Sequence, residues 1–420
     1  MAFIAPFATP TGKPPLGAGL ARGAAALTAL WTFPAMLLAA FLVAWGAEAA
    51  EFLVAQGLAL AALAWLQTLP ELAVEAVIAW EAGKDPARAH LAVANLTGAI
   101  RLLVGVAWPM IYVVAAVSGR RARGWLPTVT LEREHAIEVM GLLPPLLWFV
   151  VVLLKRTISG LDAAVLIVLY AAYLGVLARM PPHAEEGLAA APAVSRWAYG
   201  LGGRRRAAAI AGLFALGGLL LSVTTRPFLD SMIGIAAVLG VSDFVFVQWV
   251  APFLSEFPEK VSAFAWARRA DKAPMALMNM VSSNINQWTI LVATIPLVYG
   301  WSHAAAGGGW AAFPFDAEQR LEIALTMAQS LVALLLLMAM RFDWWEAAGL
   351  FGLWLVQFAR PGTREAVAGA YLAWAAAMLI ASAAGRRPLT APRVFLALWR
   401  GTHGKHGRRG GGAGNDSPRA

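Results

Sequence analysis

Two stretches of this sequence read Leu66-Gln67-Thr68-Leu69-Pro70-Glu71 and Leu254-Ser255-Glu256-Phe257-Pro258-Glu259, and each lies within a long apolar run. A proline inside a helix removes a backbone donor and frees a carbonyl group of the preceding turn. In the hydrocarbon of a membrane, such a group is tolerated only where protein or a water-filled cavity satisfies it. A carboxylate near the membrane centre costs at least ~2.5–3.5 kcal/mol, so it indicates a functional site. The two stretches predict two broken membrane helices that carry an ion site.

The composition is that of a membrane protein. Of the 420 residues, 60% are hydrophobic and 14% are charged, against ~25% charged residues in soluble domains, and the mean hydropathy is +0.66. Several apolar runs reach the ~20 residues that a membrane helix needs. The chain has no cysteine, which excludes disulfides, thiolate metal sites and cysteine catalysis. We therefore predict an all-α polytopic membrane protein.

The charge distribution predicts the orientation in the membrane. A net charge of +9 suits nucleic-acid binding, but the lysines and arginines concentrate in predicted loops and in the tail. With the N-terminus outside, the cytoplasmic segments hold roughly twice as many of them as the outside segments. We therefore expect the lipid bilayer as a partner and no nucleic acid. We also expect an N-terminus outside and a C-terminus in the cytoplasm, in the plasma (inner) membrane. The sequence does not specify an oligomeric state.

Eleven membrane spans are predicted from the apolar runs. They lie at residues 25–46, 51–82, 89–117, 136–154, 159–179, 207–225, 232–267, 273–299, 320–340, 343–360 and 365–385. The second and the seventh are longer than a straight span requires, and both contain the proline–glutamate break.

The spans form an internal repeat. Glu71 and Glu259 are 188 residues apart, whereas Asn95 and Asn279 are 184 residues apart. The predicted starts of the fourth and ninth spans are also separated by 184 residues. Five spans therefore repeat as five spans, with one more span appended. Because five is odd, the second unit enters the membrane from the opposite side, and we expect two inverted five-helix repeats.

The repeat divides the chain into six segments. They are an N-terminal extramembrane segment (1–24), the first repeat (25–180), a basic cytoplasmic linker (181–206), the second repeat (207–360), an extra transmembrane helix (361–385) and a basic tail (386–420). The composition of the tail is typical of disordered segments.

A polar cluster follows each break. The first contains Asn95 and Thr97, and the second contains Asn279, Ser283 and Asn284. Together with the carboxylates, these hydroxyl and amide oxygens are ligands for hard cations such as calcium or sodium. A single serine or asparagine would as readily join two helices. Two clusters in register with two breaks favour a cation site.

These residues resemble the alpha repeats of the calcium/cation antiporter superfamily, the family of sodium–calcium and cation–proton exchangers. Its two blocks, Gly-Thr-Ser-x-Pro-Glu and Gly-Asn-x-x-Gly-Ser-Asn-x-x-Asn, occur once per half. The resemblance implies ten core helices in inverted repeats and alternating access by sliding of the first helix of each half. It also implies that Glu71 and Glu259 are the central ligands and that Asn95 and Asn279 line the same site.

The sequence departs from the family blocks at several positions. In the first half, Leu66-Gln67-Thr68 stands where the first family block has Gly-Thr-Ser. In the second copy of that block, Glu256 stands where the family has serine. In the first half, Gly-Ser-Asn has become Gly98-Ala99-Ile100, and Arg101 follows. Oxygens that would hold sodium are thus lost from one half, while a third carboxylate and a cation are gained.

Two interpretations of these departures remain open. Crowding of Glu71, Glu256 and Glu259 would raise the proton affinity of at least one of them, which suits cation/proton exchange. Alternatively, Arg101 enters the cavity and pairs with a glutamate, unless it snorkels to the membrane surface. Lys260 points about 100° away from Glu259 around a helix, so we expect it to face elsewhere.

Three further carboxylates lie within the predicted spans. Glu75 either contributes to the site, by widening the acidic lining or as part of a proton path, or forms an interhelical hydrogen bond. Glu138 and Glu322 occupy matching places at the starts of the fourth and ninth spans. We expect both to be interfacial.

The sequence predicts a secondary active cation antiporter. It would exchange calcium or a related cation for sodium or protons by alternating access, without a cofactor and without enzymatic activity. The predicted cation-binding residues are Glu71, Glu259, Asn95, Asn279, Thr68, Glu256, Ser283 and Asn284, with the two proline-linked glutamates as metal ligands and Arg101 as a possible charge partner. The alternative is a divergent, non-transporting membrane scaffold or sensor whose ion site is closed by Arg101.

Overall fold

A computed structural model describes residues 23–51, 68–123, 126, 128–178, 192–269 and 272–406. The chain is an all-α polytopic membrane protein with two inverted five-helix repeats and one additional C-terminal transmembrane helix, as predicted. Two pairs of very short strands join the repeats. The first part of the predicted second span, residues 52–67, lies outside the described residues, as do the N-terminal residues 1–22.

The described residues of the first repeat form seven α-helices, which belong to its five spans, and two strands. They are α1 (Ala29–Glu51), α2 (Leu69–Lys84), α3 (Ala89–Leu102), α4 (Trp108–Arg123), β1 (Thr128–Thr130), α5 (Ala136–Gly141), α6 (Leu143–Lys155), β2 (Thr157–Ile158) and α7 (Gly160–Leu177). A π-helical turn, Leu103–Ala107, joins α3 to α4, so that these two helices form one long span.

The second repeat follows a short helix, α8 (Ala193–Gly200). Its elements are α9 (Gly203–Leu239), α10 (Asp243–Ser255), α11 (Phe257–Ala267), α12 (Ala273–Asn286), α13 (Val292–Ala305), β3 (Phe313–Pro314), α14 (Ala317–Leu337), β4 (Arg341–Asp343) and α15 (Trp344–Ala359). A second π-helical turn, Gln287–Leu291, joins α12 to α13. Two described helices follow the second repeat: α16 (Arg364–Ala383), which is the additional transmembrane helix, and α17 (Thr390–His406).

The strand pairs reflect the inverted symmetry of the two repeats. Strand β1 of the first repeat pairs antiparallel with β4 of the second, and β2 pairs antiparallel with β3. Within each repeat a membrane-spanning segment connects the two strands: α5 and α6 in the first, α14 in the second. The two strand pairs therefore lie at opposite ends of these spans, and each pair contains one strand from each repeat.

Seven helical stretches among the described residues are long and apolar enough to cross a membrane, judged by length and composition. The apolar helix α10 is shorter because the chain breaks at Glu256, directly after it. The two breaks and the second polar cluster lie outside these seven stretches, whereas the first polar cluster lies within one of them, Pro86–Ser118.

The structure corrects three predicted boundaries. We expected spans at 207–225 and 232–267, but α9 runs without interruption from Gly203 to Leu239. It includes Pro227, which lies between these two predicted spans, and it also takes in the end of the predicted basic linker. The predicted disordered tail is wrong for residues 390–406, which form α17. Residues 407–420 lie outside the described part of the chain.

The helix that carries the first polar cluster packs closely on the broken helix of the other repeat. A Cβ atom added at Gly98 of α3 would lie 1.7 Å from the backbone carbonyl oxygen of Gln248 in α10. Only glycine permits this approach, since it lacks a Cβ atom. The contact brings α3 of the first repeat against α10 of the second, next to the candidate site.

Candidate cation-binding site

The two helix breaks position the two proline-linked glutamates in equivalent ways. Helix α2 begins at Leu69 with Thr68 at its N-cap position, and α11 begins at Phe257 with Glu256 at its N-cap position. The proline is tolerated in each first turn because the first amides of a helix lack intrahelical acceptors. Glu71 and Glu259 therefore both lie in a first helical turn, where the helix dipole favours negative charge.

The centre of the site is a contact between carboxyl groups of the two repeats. The Nε2 atom of Gln287 donates to Oε1 of Glu71 at 2.8 Å and to Oε1 of Glu256 at 3.0 Å. Because Glu71 and Glu256 share this donor, their carboxyl groups lie close together. All three side chains are buried. The side-chain amide of Gln287, in the second π-helical turn, thus joins one carboxyl group from each break.

Glu259 lies in the same cluster and has its own partners. Ser283 Oγ donates to Glu259 Oε2 at 3.1 Å, and Asn279 Nδ2 donates to Glu259 Oε1 at 3.4 Å. Glu259 also interacts electrostatically with Glu71. The structure therefore brings together five of the predicted residues: Glu71, Glu256, Glu259, Asn279 and Ser283.

Asn95 contacts a different glutamate from the one we expected. Its Nδ2 atom donates to Glu75 Oε2 at 2.6 Å, one helical turn beyond Glu71. This is the interhelical hydrogen bond that was one of the two interpretations of Glu75. The structure gives Asn95 no hydrogen bond to Glu71.

Two further predicted residues, Thr68 and Asn284, are buried. Thr68 lies at the break before α2, where its carbonyl oxygen accepts from Leu72 N at 2.9 Å. Asn284 is fully buried, and its amide has no hydrogen-bond partner among the described residues. On a helix it points about 140° away from Asn279, so it lies on another side of α12.

Arg101 is buried and binds a glutamate outside the central cluster. It donates to Glu322, with which it forms an ion pair, and to Gln357 Oε1 at 2.8 Å. Arg364 of α16 makes a second ion pair with Glu322 at 2.8 Å. Glu322 is fully buried between these two guanidinium groups, and its predicted interfacial depth in the membrane stays a prediction. Glu138, its repeat-related counterpart, is also buried.

Lys260 lies in the site, contrary to expectation. Its Nζ atom donates to Glu256 Oε2, four residues earlier in the chain. The prediction considered only the angle between Lys260 and the adjacent Glu259. Side chains four residues apart lie on the same face of a helix, so the lysine reaches the carboxylate at the break.

Sequence reasoning left Gln287 out of the site, although a signal was present. Gln287 follows Ser283 by four residues, which places both on one face of the helix. Its remaining amide oxygen, Oε1, is buried and has no hydrogen-bond partner among the described residues. An unpaired buried oxygen is costly, and a cation would satisfy it.

The chemistry of these groups suits a hard cation. The cluster offers carboxylate, amide and hydroxyl oxygens, which calcium and sodium prefer. No group of three or more His, Cys, Asp or Glu side chains within the described ranges has metal-binding geometry. A cation bound here would therefore use amide and hydroxyl oxygens beside the carboxylates, with some movement of side chains.

Comparison with known proteins assigns the family. The family model described as sodium/calcium exchanger protein matches residues 23–179 and 209–359, one match for each repeat. The chain belongs to this family. The two segments together cover most of the chain, and both proline–glutamate breaks lie within them. The protein is therefore a membrane transporter of the cation antiporter type.

Two solved structures place this exchanger-family protein more closely. It is similar to the H+/Ca2+ exchanger CAX, with 30% sequence identity over 90% of this chain and 91% of that chain, and a TM-score of 0.79. It is also similar to the sodium-calcium exchanger NCX_Mj, with 17% identity over 81% of this chain and 98% of that chain, and a TM-score of 0.50. The second likeness concerns the fold alone. No curated protein matches the chain in sequence.

Proposed function

We propose that the protein exchanges calcium or a related divalent cation for protons by alternating access. The observation that carries this proposal is the meeting of Glu71 and Glu256 at Gln287, at the breaks of two helices that belong to opposite repeats. Site residues at a repeat interface near the membrane centre are the arrangement in which transporters of this kind bind their cargo. Glu71 and Glu259 are the proposed central ligands, with Asn279 and Ser283 beside them.

Protons are the proposed coupling ion because of the carboxyl chemistry. Glu71 and Glu256 share one amide donor, and two carboxyl groups so close together favour retention of a proton by one of them. A divalent cation bound to the same oxygens excludes that proton, and mutual exclusion is what an antiporter requires. The name of CAX, an H+/Ca2+ exchanger, supports the same choice. Ala99 and Ile100 offer no oxygen that would hold sodium in the first half.

The position of Arg101 gives no support to a closed, non-transporting site. Its guanidinium group is held by Glu322 and Gln357, and the structure gives it no hydrogen bond to Glu71 or Glu259. Removing Arg101 is therefore not expected to open a blocked site.

The test is calcium-45 uptake into proteoliposomes that contain the purified protein. We expect uptake under an outward proton gradient and none under an outward sodium gradient of the same size. Glu71→Gln and Glu259→Gln should each reduce uptake to background, because each removes a charged ligand while preserving shape. Glu365→Gln, which changes an exposed glutamate at the start of α16, is the matched control and should transport as the wild type does.

Each other outcome changes the proposal in a defined way. Uptake that requires the sodium gradient would replace the proton by sodium as the coupling ion. Absence of uptake under either gradient, together with no calorimetric binding of calcium, magnesium or manganese, would contradict transport. That result would favour the non-transporting membrane scaffold or sensor.

A further inference from the structure

The candidate site contains a cation that belongs to the protein itself. Lys260 is 8% exposed, and its ammonium group forms an ion pair with Glu256. Lysine is almost never buried unless it is paired. The other carboxylate oxygen of Glu256 accepts from Gln287, which also holds Glu71. The ammonium group is thus separated from a proposed calcium ligand by a single carboxyl group.

This lysine changes the charge that a bound cation must neutralise. Glu71 and Glu256 are buried and share the Gln287 donor, and the partly buried Glu259 interacts electrostatically with both. Ionised, the three carry three negative charges. Lys260 supplies one positive charge to the same cluster. Uncompensated charge is costly in a buried site. With the lysine in place a divalent cation completes the balance, whereas without it the site would match a trivalent cation.

We propose that Lys260 is a specificity-determining residue whose ammonium group acts as a resident monovalent cation and matches the site to divalent cargo. This inference rests on the proposed function, since it concerns the same site. The i, i+4 spacing of Glu256 and Lys260 holds the lysine at the break of α10 and α11, so the counter-charge is built into the helix that carries Glu259.

The test compares the preference for trivalent over divalent cations in matched variants. In calcium-45 uptake assays at fixed pH and zero membrane potential, lanthanum inhibition is measured beside the apparent calcium affinity. Lys260→Met should raise the preference for La³⁺ over Ca²⁺ by at least about tenfold. A tenfold change corresponds to ~1.4 kcal/mol, within the range for one additional pair of unit charges a few Å apart.

Three control variants separate charge from shape. Lys260→Arg keeps the positive charge and should keep the wild-type preference. The double variant Glu256→Gln/Lys260→Met removes one charge of each sign, so its preference should return to that of the wild type even where both affinities are weaker. Glu256→Gln alone leaves the lysine with two carboxylates, so it should lower the preference for La³⁺ over Ca²⁺ about tenfold.

The outcomes distinguish this inference from the proposed function. A wild-type preference in Lys260→Met and in Glu256→Gln, with calcium transport intact, would overturn the role of Lys260 and leave the exchanger proposal standing. If Lys260→Met does not fold, the La³⁺/Ca²⁺ preferences of Glu256→Gln and of the double variant test the role of Lys260. If the wild type does not transport calcium, the proposed function fails, and calorimetric binding of Ca²⁺ and La³⁺ to the same variants decides the inference. No binding of either ion would overturn it.

Discussion

Glu71 and Glu75 illustrate how one helical turn changes the role of a residue in this protein. Both are buried in α2, yet Glu71 reaches Gln287 of the second repeat while Glu75 accepts from Asn95 of the first. The pair Asn279 and Glu259 has the same separation in sequence as Asn95 and Glu75. Glu75 therefore corresponds to Glu259 in its hydrogen-bond partner, an asparagine 20 residues later. Glu71 corresponds to Glu259 in its position directly after a proline.

The adjacent serines of α12 provide a test of the site at the scale of one hydroxyl group. Ser283 Oγ donates to Glu259, whereas Ser282 Oγ lies 3.0 Å from the hydroxyl group of Tyr173. We expect Ser283→Ala to raise the calcium concentration for half-maximal uptake about tenfold, because a hydrogen bond to a charged group contributes about 1.5–3 kcal/mol. Ser282→Ala should change it less than about twofold. Equal effects of the two substitutions would contradict the placement of Ser283 in the site.

The buried ion pair between Arg101 and Glu322 predicts a loss of stability. Arg101→Met leaves Glu322 with one cation fewer in a buried position, and removal of one partner of such a pair costs about 3–5 kcal/mol. Thermal unfolding of the purified protein in detergent should show a clearly lower Tm. Arg101→Met/Glu322→Gln should recover part of the loss.

Arg341 provides the exposed control for this measurement. It is half exposed and pairs with Asp343 at 3.4 Å on the surface, where such pairs contribute about 0–1 kcal/mol. We expect Arg341→Met to change the Tm little. A loss in Arg101→Met no larger than in Arg341→Met would show that the buried pair does not stabilise the fold.

At the scale of elements, the breaks and the π-helical turns act together. Each proline starts a helix whose first turn carries a glutamate, and each polar cluster precedes a π-helical turn. π-Helical turns occur frequently at functional sites because the extra residue redirects the side chains. Gln287 is the first residue of the second such turn, and it is the residue that joins Glu71 to Glu256.

The contact between α3 and α10 predicts a strong effect of a single methyl group. A Cβ atom at position 98 would overlap the carbonyl oxygen of Gln248, so Gly98→Ala must separate the two helices. Overpacking of this kind costs about 1–3 kcal/mol or more, and we expect a lower Tm and reduced calcium uptake. Gly369→Ala in α16 is the control, since no atom lies within 4 Å of the added Cβ atom. Tolerance of Gly98→Ala in both assays would contradict the close approach.

At the scale of the whole molecule, the inverted repeats place corresponding loops on opposite sides of the membrane. The pairing of β1 with β4 and of β2 with β3 joins loops of different repeats at each end. We propose, from the distribution of lysine and arginine, that the end with β2 and β3 faces outwards and the end with β1 and β4 faces the cytoplasm.

The absence of native cysteine makes this orientation directly testable. The chain contains no cysteine, so each introduced thiol is the only one present. Ala306 and Arg386 are both exposed, the first in the loop before β3 and the second after α16. A membrane-impermeant maleimide added to intact cells should label Ala306→Cys, and it should label Arg386→Cys only after the membrane is permeabilised. The reverse pattern would invert the proposed orientation.

The sequence by itself determined the class of the protein, its inverted repeat and the two breaks. These features depend on local properties: hydrophobic length decides what crosses a membrane, proline decides where a helix is interrupted, and an odd number of spans decides the inversion. The same reasoning identified Glu259, Asn279 and Ser283, which lie on neighbouring helices joined by a short loop. It missed the continuous α9, since one proline within a long apolar helix is compatible with either outcome.

Only the tertiary structure decided which buried charges meet. Arg101 and Glu322 are separated by 221 residues, and Gln287 and Glu71 by 216 residues. These contacts depend on how α3 packs against α14 and how α2 packs against the second π-helical turn, and local sequence carries no signal for such distances. In a membrane interior each buried charge requires a partner. Packing rather than sequence spacing assigned Arg101 to Glu322, whereas the i, i+4 spacing places Lys260 beside Glu256.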